Sequence, residues 1–520
     1  MKLFRTKPSL KEAEKQLLPK QTNSVASIKT IQKWIGLIAY PFFVLYPIQK
    51  NFAQSQNFSK AYEQVLGLSF EKNRESLTKR HIAGFPYANI YLQNLNDVLE
   101  LVFTENENQY EALKNKESER LDLLDDLNSD SPYIGFIRAE IKLQWAFVKL
   151  KFGHTWAGVW SLRRAYKTIQ DNIEEHPEFK LNYKTLGLLH VIFGAVPDHQ
   201  QWVLSILGLE GNVALGLQEI EEIHKADNLF NTELSLISAL IESYLLENHK
   251  AALSRLDNDS NEEKSLAEAY ITSLILMKSH EAKKSAVILK KALGQNQNNL
   301  FLFNYLLGEA QFQGGDYYNA GQNYSAFLAG FQGNGQKKDA LMKLAMCYLF
   351  LNNDLALFNK TWADAAAMKN SEAEADKNAH KILSAKALPN FDLLKIRFAI
   401  DGGFYIYADS LVTAIDLDKI KPYEIFELDY RKARLAHLKG NFDLALTHYY
   451  KVISNAESLP ETYFVPNSFL QIGYLKLEQG DKEQAKMYFN KVLEFKDHPY
   501  KNSLDSKAKI AIEAINASGG

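Results

Sequence analysis

Few residues of this sequence stand where they could do chemistry. GFQGNGQK at residues 330–337 carries two glycines five apart, as a phosphate-cradling loop does, but Gln336 stands where the phosphate-reaching lysine belongs and no Ser or Thr follows to hold magnesium. It also joins two helical patterns, whereas a phosphate loop follows a strand, so it reads as an inter-helix loop. DNDSNEEKSLAE at residues 257–268 puts acids or amides at positions 1, 3, 5 and 12 of a calcium loop. Glu262 occupies the position whose sharp turn demands Gly, and Lys264 one that should be apolar. The competing account is a capping box between Ser260 and Glu263. The twelve histidines include no HExxH pair, and the nearest two are His190 and His199 across a proline turn. Cys347 lies beside Met346 and Tyr348 on an apolar helical face, a core position rather than a nucleophile's. There is no GxSxG, and the acid pairs Asp125–Asp126 and Glu221–Glu222 read as solvated helix faces. No catalytic residue, metal site or cofactor is expected, and the protein is read as a non-enzyme.

The elements that hold these residues are therefore the informative level. The chain has 520 residues, 46% hydrophobic and 23% charged, enough for a large core. Its formal net charge of −2 provides no basic field for nucleic acid, and none is expected as a partner. One cysteine excludes an intramolecular disulfide. From Ser59 onward apolar residues recur at three- and four-residue steps, broken at Gly, Asn or Asp, with almost no alternating β-branched runs: an all-α pattern of helix pairs. WVLSILGL at residues 202–209 is apolar for two turns and is weighed as core against an exposed contact.

Residues 1–33 carry eight Lys or Arg against two Glu, followed by the uncharged run WIGLIAYPFFVLYPIQ at residues 34–49. Basic, then apolar, then small residues is the order of a secretory signal, expected to end at Ala53 and leave Gln54 first. Pro41, Pro47 and the shortness of the run argue against a spanning helix, although an uncleaved anchor at 34–49 stays open. Cleavage would take the net charge from −2 to −9. The expected organisation is a signal peptide at 1–53, a helical region with degenerate repeats at 54–260, a repeat array at 261–515 and a tail at 516–520.

Self-comparison shows the array. FNYLLGEAQFQGGDYYNAGQNYSAFL, YRKARLAHLKGNFDLALTHYYKVI and FLQIGYLKLEQGDKEQAKMYFNKVL superpose Gly315, Gly440 and Gly480, each followed by Asp or Asn. Ala320, Ala445 and Ala485 come five residues later, then Tyr324, Tyr449 and Phe489. Gly ends the first helix, the Asp or Asn caps the second, and Gly308 and Gly473 allow close approach. A weaker copy runs from Phe391 through Gly402 and Gly403, where the doubled glycine predicts one extra turn residue. Further pairs are expected at residues 133–177, turning at Gly153, and 231–256, turning near Asn248. This pattern resembles the tetratricopeptide repeat, whose unit is two antiparallel helices, and implies a right-handed α-solenoid.

In the middle of the chain, GHTWAGVWSLRRAYK and LGLLHVIFGAVPDHQQWVLSILGLEGNVALGLQEIEE resemble the signature region of the inclusion-body-clearance and tetratricopeptide-repeat-protein-39 family. The residues that carry it include Gly153, Trp156, Arg163, Arg164, Gly194, Pro197, Gly211, Leu215 and Gly216. The resemblance implies a helical interaction scaffold and carries over no active-site residue.

Stacked helix pairs expose a groove lined by their first helices, which suits a bound chain. The repeat register places Tyr305, Glu309, Phe312, Tyr430, Arg434, His437, Leu470 and Tyr474 there, as contacts for a protein or peptide partner or as packing between repeats. The expected function is an exported scaffold in the periplasm or outer envelope of a Gram-negative bacterium. The alternatives are an envelope adaptor anchored by residues 34–49, and an enzyme or carbohydrate-binding protein with a pocket between the two halves.

Overall fold

A computed structural model describes residues 53–79, 86–127, 129–196, 201–225, 230–256, 264–295, 300–455 and 462–517. The apolar run at 34–49, the calcium-like positions 257–263 and Pro197 lie outside the described residues. Every regular element among those described is helical, and no described helix is long and apolar enough to cross a membrane. The chain divides into two compact units, Met1–Ile271 and Thr272–Gly520.

The first unit contains α1 (Ala53–Leu66), α2 (Phe70–Lys79), α3 (Pro86–Thr104), α4 (Glu107–Leu113), α5 (Lys116–Asp125), α6 (Pro132–Lys151), α7 (Thr155–Glu175), α8 (Asn182–Gly194), α9 (Gln201–Leu207), α10 (Val213–Lys225), α11 (Asn231–Tyr244) and α12 (His249–Leu256). The α6–α7 pair turns at Gly153, whose φ of +80° is open only to glycine without strain. The α11–α12 pair turns at Glu247, φ +55°. The glycines of the middle segment have a packing reason. A Cβ on Gly187 would stand 2.9 Å from the Gly216 carbonyl oxygen, and one on Gly194 2.6 Å from the Val213 nitrogen, so α8 and α10 meet backbone to backbone. In the 202–209 run Val203, Leu204, Leu207 and Leu209 are buried while Trp202 and Ile206 are exposed, so α9 buries one face only.

This unit also buries charge. Lys184, 2% exposed, donates to Glu140 Oε2 at 2.6 Å and pairs with Glu233 Oε1 at 2.8 Å, and Tyr62 donates to Glu233 at 3.0 Å. Burial alone would pull the Lys184 pKa down, but the two carboxylates outweigh it and raise it.

α13 (Leu266–Lys278) spans the division. Its start is a capping box five residues later than the sequence pattern placed it: the Ser265 and Glu268 side chains exchange bonds with each other's backbone N–H at 3.3 and 2.9 Å.

The second unit continues with α14 (Ala282–Gln295), α15 (Phe301–Gln313), α16 (Tyr317–Gly330), α17 (Lys337–Asn352), α18 (Leu355–Ala367), α19 (Glu374–Leu383), α20 (Phe391–Asp401), α21 (Tyr405–Ala414), α22 (Glu424–Leu438), α23 (Phe442–Ser454), α24 (Phe464–Glu478), α25 (Lys482–Glu494) and α26 (Lys501–Ala517). It is an all-α solenoid of hairpins, with α15 on α16, α17 on α18, α20 on α21, α22 on α23 and α24 on α25. Gly315, Gly440 and Gly480 sit at φ between +78° and +81°, and the next residue, Asp316, Asn441 or Asp481, accepts a hydrogen bond from a backbone N–H three residues on. Ala320, Tyr324, Ala445, Tyr449, Ala485 and Phe489 are fully buried. Gly473 lies under the Phe489 ring, which a Cβ would approach to 2.6 Å. The Gly402–Gly403 turn holds no extra residue. Gly402 is a right-handed C-cap and Gly403 takes φ +78°, as Gly314 and Gly315 do, so the doublet repeats the standard turn.

Candidate functional site

In the second unit α15 contacts α20, α20 contacts α22, α22 contacts α24 and α24 contacts α26. The eight residues expected to line a groove separate by burial. Tyr305 (9% exposed), Phe312, Tyr430 and Leu470 (1–2%) are buried and pack between helices, the second of the two roles the sequence left open for them. Tyr305 donates to Asp339 Oδ2 at 2.8 Å, and Phe312 meets Phe398 edge-on at 5.2 Å. Tyr430 packs on Tyr463 and Phe464, and Leu470 packs with Ala485 and Phe489. They fell on the predicted helices, but the apolar stripe that joins adjacent repeats takes them in.

Glu309 is consumed by a second buried charge cluster. Lys343 pairs with Glu309 at 2.6 Å and Asp339 at 2.7 Å, the Tyr324 hydroxyl donates to Glu309 at 2.6 Å, and the Phe398 ring lies 5.7 Å from the ammonium. Burial raises the Glu309 pKa despite Lys343, and burial followed by Glu309 raises that of Cys347, which is 1% exposed.

Arg434, His437 and Tyr474 are half-buried. Arg434 donates to the neutral Gln471 Oε1 at 2.6 Å, and no carboxylate pairs with it among the described residues. His437 lies edge-on to Tyr449 and Phe442, and its pKa is lowered to about 4 by burial and the nearby Arg434 cation, so it is neutral at pH 7. Tyr474 stacks edge-on to Phe489 at 5.2 Å.

The sequence reading missed the cations and tyrosines around Arg431. Arg397 on α20 keeps 30% of its side chain exposed and reaches Asp401 only at 3.4 Å. Arg431 is buried between the Tyr430 and Phe464 rings, paired with Glu427 at 2.6 Å and donating to the Tyr463 hydroxyl at 3.1 Å. Tyr463 meets Tyr500, whose hydroxyl donates to Asn378 on α19 at 3.3 Å and whose ring carries Lys381 at 4.9 Å. The three-residue step from Arg431 to Arg434 was a visible sign that one helix aims two guanidinium groups to neighbouring places. Among the described residues no group of three or more His, Cys, Asp and Glu is arranged to hold a metal ion.

Three solved structures are similar to the chain. Human IFIT1, solved as a dimer with m7Gppp-AAAA, is 11% identical over 92% of this chain and 96% of its own, with a TM-score of 0.34. Yeast Tom70 is 13% identical over 96% and 97%, with a TM-score of 0.25. The APC/C hetero-tetramer Cut9-Hcn1 gives 11% over 89% and 90%, with a TM-score of 0.21. No curated protein matches the chain. Residues 467–494, which form most of the α24–α25 hairpin with its Gly480 turn and Asp481 cap, match the tetratricopeptide repeat family.

Proposed function

We propose that this chain is a non-enzymatic repeat scaffold that holds a protein or peptide partner along the first-helix face of its second unit, and that the partner segment carries a carboxylate beside an apolar residue. The observation that carries this reading is Arg434, a half-buried guanidinium whose hydrogen-bonding side chains, Gln471 and Tyr449, are both uncharged. Guanidinium groups in such places favour planar anions that accept two hydrogen bonds. Arg397, only loosely held by Asp401, supports the same reading. The neutral imidazole of His437 and the half-buried Tyr474 ring supply apolar surface for an anchor.

A random-peptide display selection against the purified chain tests this. Enriched peptides should pair Asp or Glu with an aromatic or aliphatic residue, and their binding should fall about tenfold or more in the R397Q/R434Q double variant and weaken with salt. Enriched peptides that bind the double variant as tightly as the parent would end the reading. We propose further that the scaffold is exported with residues 1–53 removed. N-terminal sequencing of the mature form should then begin at Gln54, whereas an intact N-terminus would favour the anchored adaptor.

A further inference from the structure

The Arg-rich helix of the middle segment contributes to a cationic cluster that the proposed partner face does not use. On α6, Arg138, Lys142 and Lys149 lie along one stripe, and on α7 Ser161, Arg164 and Thr168 oppose it. The two ends of the stripe are neutralised by α5. Arg138 pairs with Asp125 at 2.5 Å, and Lys149 pairs with Glu117, which also lies 4.0 Å from Arg164. The middle is not neutralised. Lys142 is half-buried, its ammonium donates to the Thr168 hydroxyl at 2.8 Å, and no carboxylate pairs with it among the described residues. Arg164 donates to the Ser161 hydroxyl at 2.9 Å and keeps 50% of its side chain exposed. Four cations thus share two carboxylates. The unbalanced charge is concentrated where a hydroxyl, an ammonium and two guanidinium groups converge from two helices.

We propose that Lys142, Arg138, Arg164 and Thr168 form a binding site for a phosphate group, free or as a monoester. The ligand's dianionic charge matches the local excess, its several oxygens can accept from Lys142, Thr168 and Arg164 together, and the guanidinium groups can each give two parallel bonds. A monocarboxylate has one charge and two oxygens and leaves the cluster half-neutralised. Independently, the Lys142 pKa is lowered to about 8 by burial and by its neighbours Arg138 and Arg164, against the smaller opposing pull of Glu117 and Asp125. A bound dianion would reverse that shift and draw a proton onto Lys142.

Titration calorimetry of the full chain at pH 8 tests this, with inorganic phosphate, a Gly–phosphoserine–Gly peptide and acetate as probes, in two buffers of different ionisation heat. Saturable binding of phosphate or of the phosphopeptide is expected, with acetate at least tenfold weaker. Uptake of roughly half a proton per ligand should accompany it, since a group titrating near 8 is half-ionised there. K142M, R164Q and T168V should each weaken binding, the first two about tenfold or more, while K290Q, on exposed α14 surface, should not. Far-UV circular dichroism identifies any variant that fails to fold, and the remaining ones then decide. Which of the two phosphate probes binds distinguishes a free ion from a phosphorylated chain. Acetate binding as well as phosphate, or folded R164Q and T168V binding like the parent, would overturn the site.

Discussion

The backbones of Gly187 and Gly216 touch, with α8 and α10 crossing so closely that a Cβ on either residue would run into the other's carbonyl oxygen. This contact, with the approach of Gly211 to Gly194 beside it, gives four glycines of the middle segment a packing role. G216A should destabilise this unit by about 2–3 kcal/mol through overpacking, read as a lower denaturant midpoint. G294A, where a Cβ would meet nothing within 4 Å, should be neutral or stabilise by up to about 1 kcal/mol. Equal effects at the two positions would refute the packing account.

Lys343 and Lys184 each pair with two buried carboxylates, and tyrosine hydroxyls donate to those carboxylates in turn. K343M would strand Glu309 and Asp339 in the core and should cost about 3–5 kcal/mol. Adding E309Q should restore a measurable part of that loss, because one of the two orphaned charges disappears. A double-mutant cycle measured by urea unfolding checks the coupling. Strict additivity would show that the three charges do not act as one group.

His437 makes the second unit sensitive to acid. Its folded pKa of about 4 lies below the ordinary value near 6.5, so the unfolded chain takes up the proton first as pH falls. The stability contribution of the neutral imidazole is thus complete above about pH 6.5 and lost progressively down to about pH 4. Discounted for partial exposure, the loss is on the order of 1–2 kcal/mol. Unfolding midpoints measured from pH 7 to 4 should fall less steeply in H437F than in the parent. Parallel curves would show that His437 is not the sensor.

Cys347 should resist thiol reagents in the native chain. It is 1% exposed, and burial together with Glu309 lifts its thiol above the ordinary range, so little thiolate forms. A disulfide-exchange chromophore should label it in guanidinium chloride and hardly at all in native buffer. Fast native labelling would mean that α17 opens far more readily than its packing implies.

Much of the helix-pair architecture was legible in the sequence because its punctuation is local. Gly315, Gly440 and Gly480 each stop a helix, and the Asp or Asn that follows starts the next, within a span of a few residues. The face residues were less legible. Tyr305, Phe312, Tyr430 and Leu470 fall on the right helices, yet which side of a first helix meets its neighbour depends on packing that repeat spacing does not encode. Charge clusters were invisible for a related reason. Glu309 and Lys343 stand 34 residues apart, and Glu140 and Lys184 stand 44 apart, and nothing in the intervening chain marks them as partners. The Gly187–Gly216 crossing left a trace as glycine content, which only the packed helices turn into contact.

The Tyr500–Asn378 hydrogen bond joins the residue that opens α26, the last described helix, to α19, 122 residues earlier. A linear stack can fray from its end one hairpin at a time, each step costing only the nearest interface. Here the terminal helix also leans on the middle of its unit, so peeling it away breaks two attachments and loosens α19 with it. Hydrogen exchange at α26 should therefore track that of α19 and not form the fast-exchanging rim of an open-ended array.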